Sequence, residues 1–250
     1  MPSYDFRTPR LFVDAPLAPG GTVPLDRMQT NYLCNVLRMA QGTPVLVFNG
    51  RDGEWLGALD RGTKKSASLV LREKVRDQTA PNDLHYLFAP LKHARLDYMV
   101  QKAVELGVSQ LHPVITRHTQ ATRVNLERMR ANAIEAAEQC GILSVPDSVE
   151  PAPLAAAMAA LDASRILIFC DERADNTDPV AALSALKSTA RPSLAVLIGP
   201  EGGFTDEERE HLLRRANIVR LALGPRILRA DTAAVAALTL VQSVLGDWRV

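Results

Sequence analysis

The chain has 250 residues, 47% of them hydrophobic and 23% charged, a composition that excludes intrinsic disorder as the main state and accommodates one large domain or two modest ones. Its 29 Lys and Arg against 28 Asp and Glu exclude a generally basic chain, so any affinity for nucleic acid must come from local clusters. Residues 1–80 carry 11 basic and 8 acidic side chains, residues 81–145 carry 7 and 6, and residues 146–250 carry 11 and 14, which places the positive excess in the first third.

Taken in chain order, residues 1–78 predict a small β-barrel-like domain. Pro44 to Phe48 and Trp55 to Leu59 are apolar runs joined by the turn-rich Asn49-Gly50-Arg51-Asp52-Gly53-Glu54, which predicts a hairpin. Ser68 to Leu71 adds a strand, and Tyr32 to Met39 has apolar residues at helical spacing. Between Arg61 and Arg76 lie the six basic residues Arg61, Lys64, Lys65, Arg72, Lys74 and Arg76 against the single acid Glu73; with Arg7, Arg10 and Arg38 they form a candidate RNA-phosphate surface, although a solvated strand face would read the same way. The breakers around Asp77 to Asp83 predict a domain boundary, so that residues 79–250 form a second domain.

In that second domain strands and helices alternate. Leu84 to Ala89 and Leu111 to Ile115 read as strands; between them Leu96, Met99, Val100, Ala103 and Val104 share a helical face that stops at Gly107. A long helix is predicted from the N-cap Asn125 to Gly141, and another within Pro151 to Ala163. Ile166 to Cys170 and Leu194 to Ile198 are continuous apolar runs, as expected of parallel strands covered on both faces. The result is an α/β domain with a largely parallel sheet, whose ligands belong in loops at the carboxyl ends of its strands.

Two such loops carry candidate chemistry. Gly199-Pro200-Glu201-Gly202-Gly203-Phe204 follows a strand and precedes Thr205 and Glu208 at capping-box spacing. It is neither the dinucleotide fingerprint nor a phosphate loop, and a tight turn without a ligand would have the same pattern. Leu221 to Thr232 joins a short strand to a final helix, Ala233 to Leu245, whose apolar surface must be buried in a core, a subunit interface or both. Arg226 and Arg229 in that link suit a phosphate or a developing oxyanion; surface ion pairs are their structural alternative. Cys34, Cys140 and Cys170 have no metal-ligand spacing, and neither do the five histidines; Lys92 follows a strand end, from which it could reach RNA. Met1 to Arg7 lacks the apolar stretch of a secretory signal and the longest apolar run, around Ala233 to Val241, is too short to span a bilayer; a cytoplasmic protein with reduced thiols, no membrane and no metal is expected.

Gly199-Pro200-Glu201-Gly202-Gly203 with Leu223-Gly224-Pro225-Arg226-Ile227-Leu228-Arg229, preceded by Gln101 to Gly107 and Glu138-Gln139-Cys140-Gly141, resembles the ribosomal RNA small subunit methyltransferase E family, and Arg10 to Val13 and Val36 to Met39 fit the same pattern. The resemblance implies a SPOUT-type domain with a C-terminal trefoil knot behind an N-terminal PUA-like β-barrel. It further implies a homodimer that uses S-adenosylmethionine to methylate N3 of a uridine in 16S rRNA of the small ribosomal subunit. The matching motifs place the methyl donor at Leu197, Gly199, Pro200, Glu201, Gly202, Leu221, Leu223, Gly224, Ile227 and Leu228. Uridine N3 carries a proton, so the reaction needs a proton acceptor and a stabiliser of negative charge on O2 and O4. Arg226 or Arg229 is the candidate stabiliser; Glu201 or Asp231 is the candidate acceptor, with Glu201 equally suited to holding the glycine loop. The chain departs from the family pattern at Ile142, where an arginine is usual, and at Ala230-Asp231, where Thr-Glu is usual. A non-catalytic RNA-binding or ribosome-assembly protein on the same fold, an α/β enzyme for another nucleotide and a SPOUT methyltransferase for another RNA position remain open as alternatives.

Overall fold

In the computed structural model, residues 7–63, 66–121, 123–175, 178–186 and 192–248 are described. The chain divides into two compact units, one of residues 1–80 with 137–145 and one of residues 81–136 with 146–250.

The first unit contains β1 (Arg10–Phe12), β2 (Thr22–Pro24), α1 (Arg27–Asn31), β3 (Pro44–Phe48), β4 (Glu54–Thr63) and β5 (Ser66–Arg76). They form a mixed sheet in the order β1-β3-β4-β5-β2, in which only β1 and β3 run parallel. The expected hairpin is present, with Val47 opposite Trp55. Its turn is built by Asn49, whose Oδ1 accepts the amides of Arg51 and Asp52, while Gly53 takes φ +83°. Alternate residues Leu69 and Leu71 of β5 point into a core with Val45, Val47, Leu59 and Leu33. The helix expected over Tyr32 to Met39 starts earlier, because Asp26 and Gln29 form a reciprocal capping box, and it widens into a π turn over Tyr32–Val36. That wide turn buries Leu33 and leaves Val36 and Leu37 exposed, so the apolar spacing there did not mark one buried face.

Of the proposed phosphate contacts, Arg7, Arg38, Arg61, Arg72 and Lys74 are exposed, and Lys64 and Lys65 lie outside the described residues. Arg10 is a correction. Its side chain is largely buried, 2.5 Å from the carboxylate of Glu54, with the guanidinium carbon 5.5 Å from the centre of the Phe48 ring. Arg76 holds the other oxygen of Glu54 at 2.7 Å. Both arginines are spent on an acid that is only 3% exposed, because a buried carboxylate without cations would be prohibitively costly. The second correction concerns the partition at residue 78. Residues 137–145 belong with the first unit, where Glu138 accepts the amide of Phe12, the Gly141 carbonyl accepts from Arg76, and the Leu143 carbonyl accepts from Gln78.

The second unit contains β6 (Leu84–Phe88), α2 (His93–Glu105), β7 (Gln110–Ile115), α3 (Leu126–Cys140, whose last turn clusters with the first unit), β8 (Asp147–Ser148), β9 (Ala152–Pro153) and α4 (Leu154–Ala160). It continues with β10 (Ile166–Cys170), α5 (Pro179–Ser184), β11 (Leu194–Ile198), α6 (Asp206–Leu213), β12 (Ile218–Leu221) and α7 (Ala230–Val244). The sheet is parallel, in the order β12-β10-β11-β6-β7-β8, with β9 on β7. β11 is buried along its whole length, as its unbroken apolar run requires. One core gathers Leu87, Leu167, Phe169 and Leu197 with Met158, Phe204 and Leu212. α7 buries Ala234, Ala237, Leu238 and Val241 and packs against α2, α5 and β11. Asn125 caps α3 by accepting the Arg128 amide, and the Thr205–Glu208 capping box opens α6. The strand register sets β10, β11 and β12 level, Phe169 opposite Leu197 and Cys170 opposite Leu221, so three loops leave the sheet side by side.

At the opposite end of β6, His85 stacks on His112 with ring centres 5.3 Å apart. Burial, reinforced by the charge of Arg165, pushes the His85 pKa from 6.5 down to about 4. Below pH 6.5 the unfolded chain therefore takes up a proton that the folded chain refuses, and stability falls as the pH drops toward about 4. Urea denaturation between these limits is expected to show this loss, and His85→Gln should flatten it by about 1–3 kcal/mol.

Candidate active site

The three loops enclose a cleft of about 470 Å3, lined by residues 170–172 after β10, 198–203 after β11 and 221–228 after β12, with Ala230 and Ala233 of α7. Of the expected donor contacts, Gly199, Pro200, Glu201, Gly202, Leu221, Leu223, Gly224, Ile227 and Leu228 all line it. Leu197 does not. It points to the far face of β11 and is fully buried in the core, while its neighbour Ile198 faces the cleft.

The first loop is shaped by contact rather than by a ligand motif. A Cβ on Gly199 would come within 2.4 Å of the Phe204 ring, which is itself packed edge-on against Phe169 at 5.2 Å. Gly203 takes φ +68°, a conformation that favours glycine. His118 Nδ1 lies 3.0 Å from the Gly202 carbonyl and 3.1 Å from that of Gly203; since both carbonyls accept, Nδ1 is the donor. Glu208 ties the loop base down, its two oxygens accepting the amides of Arg117 and Thr205.

Two charged networks flank the cleft. Asp171, almost wholly buried at the end of β10, accepts from Arg209 at 2.6 Å and Arg220 at 2.8 Å and from the Arg173 amide at 3.0 Å. Burial pushes its carboxyl up, and Arg209, the amide and Arg220 together outweigh burial, so the net pKa lies below the ordinary value. On the other side Arg95, in the first turn of α2, forks onto both oxygens of Asp231 at 3.0 and 3.1 Å and reaches Glu201 at 2.5 Å. The Arg95 guanidinium holds the Asp231 carboxyl below the usual range. Cys170 also lines the cleft, but burial pushes its thiol up to about 12, which keeps it protonated and a poor nucleophile at neutral pH.

The candidate catalytic residues are thereby sorted. Arg226 lines the cleft, is exposed and makes no ion pair among the described residues. Arg229 is exposed at the N-cap of α7 and does not line the cleft. Glu201 and Asp231, the two acids considered as proton acceptors, converge on one guanidinium, and Asp231 stands outside the cleft wall. Sequence reasoning missed Arg95 and the segment Cys170 to Glu172. The second was in principle visible, because β10 is a parallel strand and its carboxyl end must open on the same side as that of β11.

The RNA methyltransferase domain family matches residues 78–242, and the RNA methyltransferase PUA domain family matches residues 25–72. Ribosomal RNA small subunit methyltransferase E of Rickettsia conorii is 30% identical over 234 residues, which cover 93% of this chain and 94% of that protein. The chain belongs to the ribosomal RNA small subunit methyltransferase E family. As a member it is an RNA methyltransferase with a PUA domain and an α/β catalytic domain. The Neisseria gonorrhoeae ribosomal RNA small subunit methyltransferase E bound to S-adenosyl methionine has a TM-score of 0.83 to it at 25% identity, covering 95% of this chain and 98% of that one. A Legionella pneumophila structure holding the cofactor SAM has a TM-score of 0.82 at 28% identity, with the same coverage of 95% and 98%.

Within this family member, Gly199→Ala should force Phe204 out of its packed position. Chemical denaturation is expected to register a loss of about 1–3 kcal/mol, and an unchanged midpoint would mean the loop absorbs the methyl group without strain.

Proposed function

We propose that the protein transfers the methyl group of S-adenosylmethionine to N3 of a uridine in 16S rRNA, acting in the cytoplasm as a homodimer on the small ribosomal subunit. The observation that carries this reading is the cleft itself, formed by the loops whose motifs mark the family. Its residues fit the donor. Ile198, Leu223 and Leu228 offer apolar walls to a nucleoside, and a Cβ on Gly224, at φ +91°, would meet nothing within 4 Å, so this stretch presents open backbone. Glu172 and Glu201 supply carboxylates to a cationic ligand. When bound, S-adenosylmethionine supplies a methyl group already activated by a positively charged sulfur.

The chain's own residues then have two tasks. Arg226 places a permanent positive charge where O2 or O4 of the uridine accumulates negative charge as the N3 proton leaves, and Arg229, at the head of α7, supports it from outside the cleft wall. Glu201 is the better placed of the two acids to take the proton, since Arg95 reaches only its Oε1 and 43% of its side chain is exposed. Asp231, engaged at both oxygens, instead holds Arg95 in position. Ile227, 99% exposed at the cleft mouth, gives a second copy of the chain an apolar point of contact.

Calorimetry with S-adenosylmethionine, followed by nucleoside mass spectrometry of rRNA methylated in vitro, tests this reading. N3-methyluridine in the product is expected, and a different modified nucleoside would overturn the assignment. Arg226→Ala should lower the methylation rate about 100-fold or more with donor affinity little changed. In the first unit, replacing Arg72 and Lys74 by Gln should weaken RNA binding evenly across sequences and flatten the plot of log affinity against log salt by about one unit for each lost phosphate contact.

A further inference from the structure

A second concavity, in the same unit as the cleft, has no part in the reading above. It is a groove of about 510 Å3 between α2, α3 and the segment that follows β7. Its floor is apolar, made by Leu91, Leu96, Val100 and Met129, and Lys92 and Arg123 stand exposed on its rim. Asp97, the one acid in its wall among the described residues, is already neutralised: Arg128 forks onto it at 3.0 and 2.6 Å and Asn132 donates to it at 2.8 Å. Lys92 and Arg123 make no ion pair among the described residues, so the groove presents a net positive rim over an apolar floor. A small cavity of about 60 Å3 lies between groove and cleft. It shares Leu91 and Lys92 with the groove and Pro200 and Glu201 with the cleft, and Arg95 stands in its wall.

We propose that this groove binds a nucleotide flanking the target uridine, its base on the aliphatic floor and its phosphate between Lys92 and Arg123. The inference rests on the proposed action on RNA and adds to it a site that sets which strand conformations can deliver a base to the cleft. Charge complementarity and continuity with the cleft select the occupant. A polyanion with apolar faces satisfies both halves of the groove, and the string of cavities from groove to cleft follows the path that a single strand would take with adjacent nucleotides unstacked. Among the described residues the floor carries no aromatic ring, so the contact is tolerant of base identity and its main determinants are shape and phosphate charge. Asn132 uses its Nδ2 on Asp97 and keeps Oδ1 as an acceptor for a base N–H.

Two variants of the full chain test the site independently: Leu96→Trp, which fills the groove, and the double variant Lys92→Glu with Arg123→Glu, which reverses its rim. Both should bind S-adenosylmethionine like the wild type in calorimetry. Both should lose at least ten-fold in kcat/KM for methyl transfer to small subunits from cells lacking the enzyme, mostly through KM. Values within two-fold of wild type in both variants would overturn the proposal, and if Leu96→Trp fails to fold, the rim variant decides alone. Photocrosslinking of a 4-thiouridine-substituted 16S rRNA fragment reads the groove without turnover. Adducts within residues 91–97 or 121–132 support it, and adducts confined to other segments refute it. Wild-type protein that crosslinks through the groove and transfers no methyl group would refute the proposed reaction while leaving the groove assigned.

Discussion

The guanidinium of Arg95 is where three distant segments of the catalytic unit meet. It stands in the first turn of α2, 136 residues from Asp231 in the first turn of α7 and 106 from Glu201 in the loop after β11. Partly exposed ion pairs contribute little to stability. This one matters for geometry, because a planar fork with five donors can satisfy both oxygens of one carboxylate and still reach a second. The glycine loop is thus tied to the helix that follows the last loop of the cleft, and the two cannot drift apart without exposing unpaired charge. The clamp also holds the Asp231 carboxyl below the usual range, since a carboxylate engaged by a bidentate cation is a weaker base.

Across the cleft, Asp171 performs the matching task for β10 and β12. Arg209 comes from α6 and Arg220 from β12, so one buried carboxylate joins a helix and two neighbouring strands at the end of the sheet where the loops emerge. Breaking a buried pair of this kind leaves an uncompensated charge, which costs far more than the pair contributes in net stability. Both networks confine the loops while leaving the lining itself rich in backbone and aliphatic groups. Such a lining holds a ligand by shape and by main-chain hydrogen bonds. Arg226 lines the cleft without an ion-pair partner among the described residues, so neither network consumes its charge.

In the first unit the same economy of charge applies. Glu54 consumes Arg10 and Arg76, leaving Arg61, Arg72 and Lys74 as exposed cations on β4 and β5. Glu138, at the head of a family motif, accepts the amide of Phe12 and so serves the packing of residues 137–145 in that unit.

Much of this was readable from local pattern. Unbroken apolar runs at Ile166 to Cys170 and Leu194 to Ile198 could only be parallel strands or buried helix, and their length favoured strands. The Asn49 turn, the Asn125 cap and the Thr205–Glu208 box are short-range hydrogen-bond arrangements, in which the relevant partners lie within three residues of one another. The glycine loops marked where the strands open on a cleft, and nine of the ten residues expected to hold the methyl donor line it. The Leu197 side chain does not line the cleft, because the side of a strand on which a residue points depends on what covers each face, and β11 is apolar on both. Arg10, Arg95 and Asp171 were illegible for a related reason. Whether these ionisable side chains meet solvent, substrate or an opposite charge is decided by segments more than thirty-five residues away, and only folding brings those segments within the few ångströms over which a charge-assisted hydrogen bond acts.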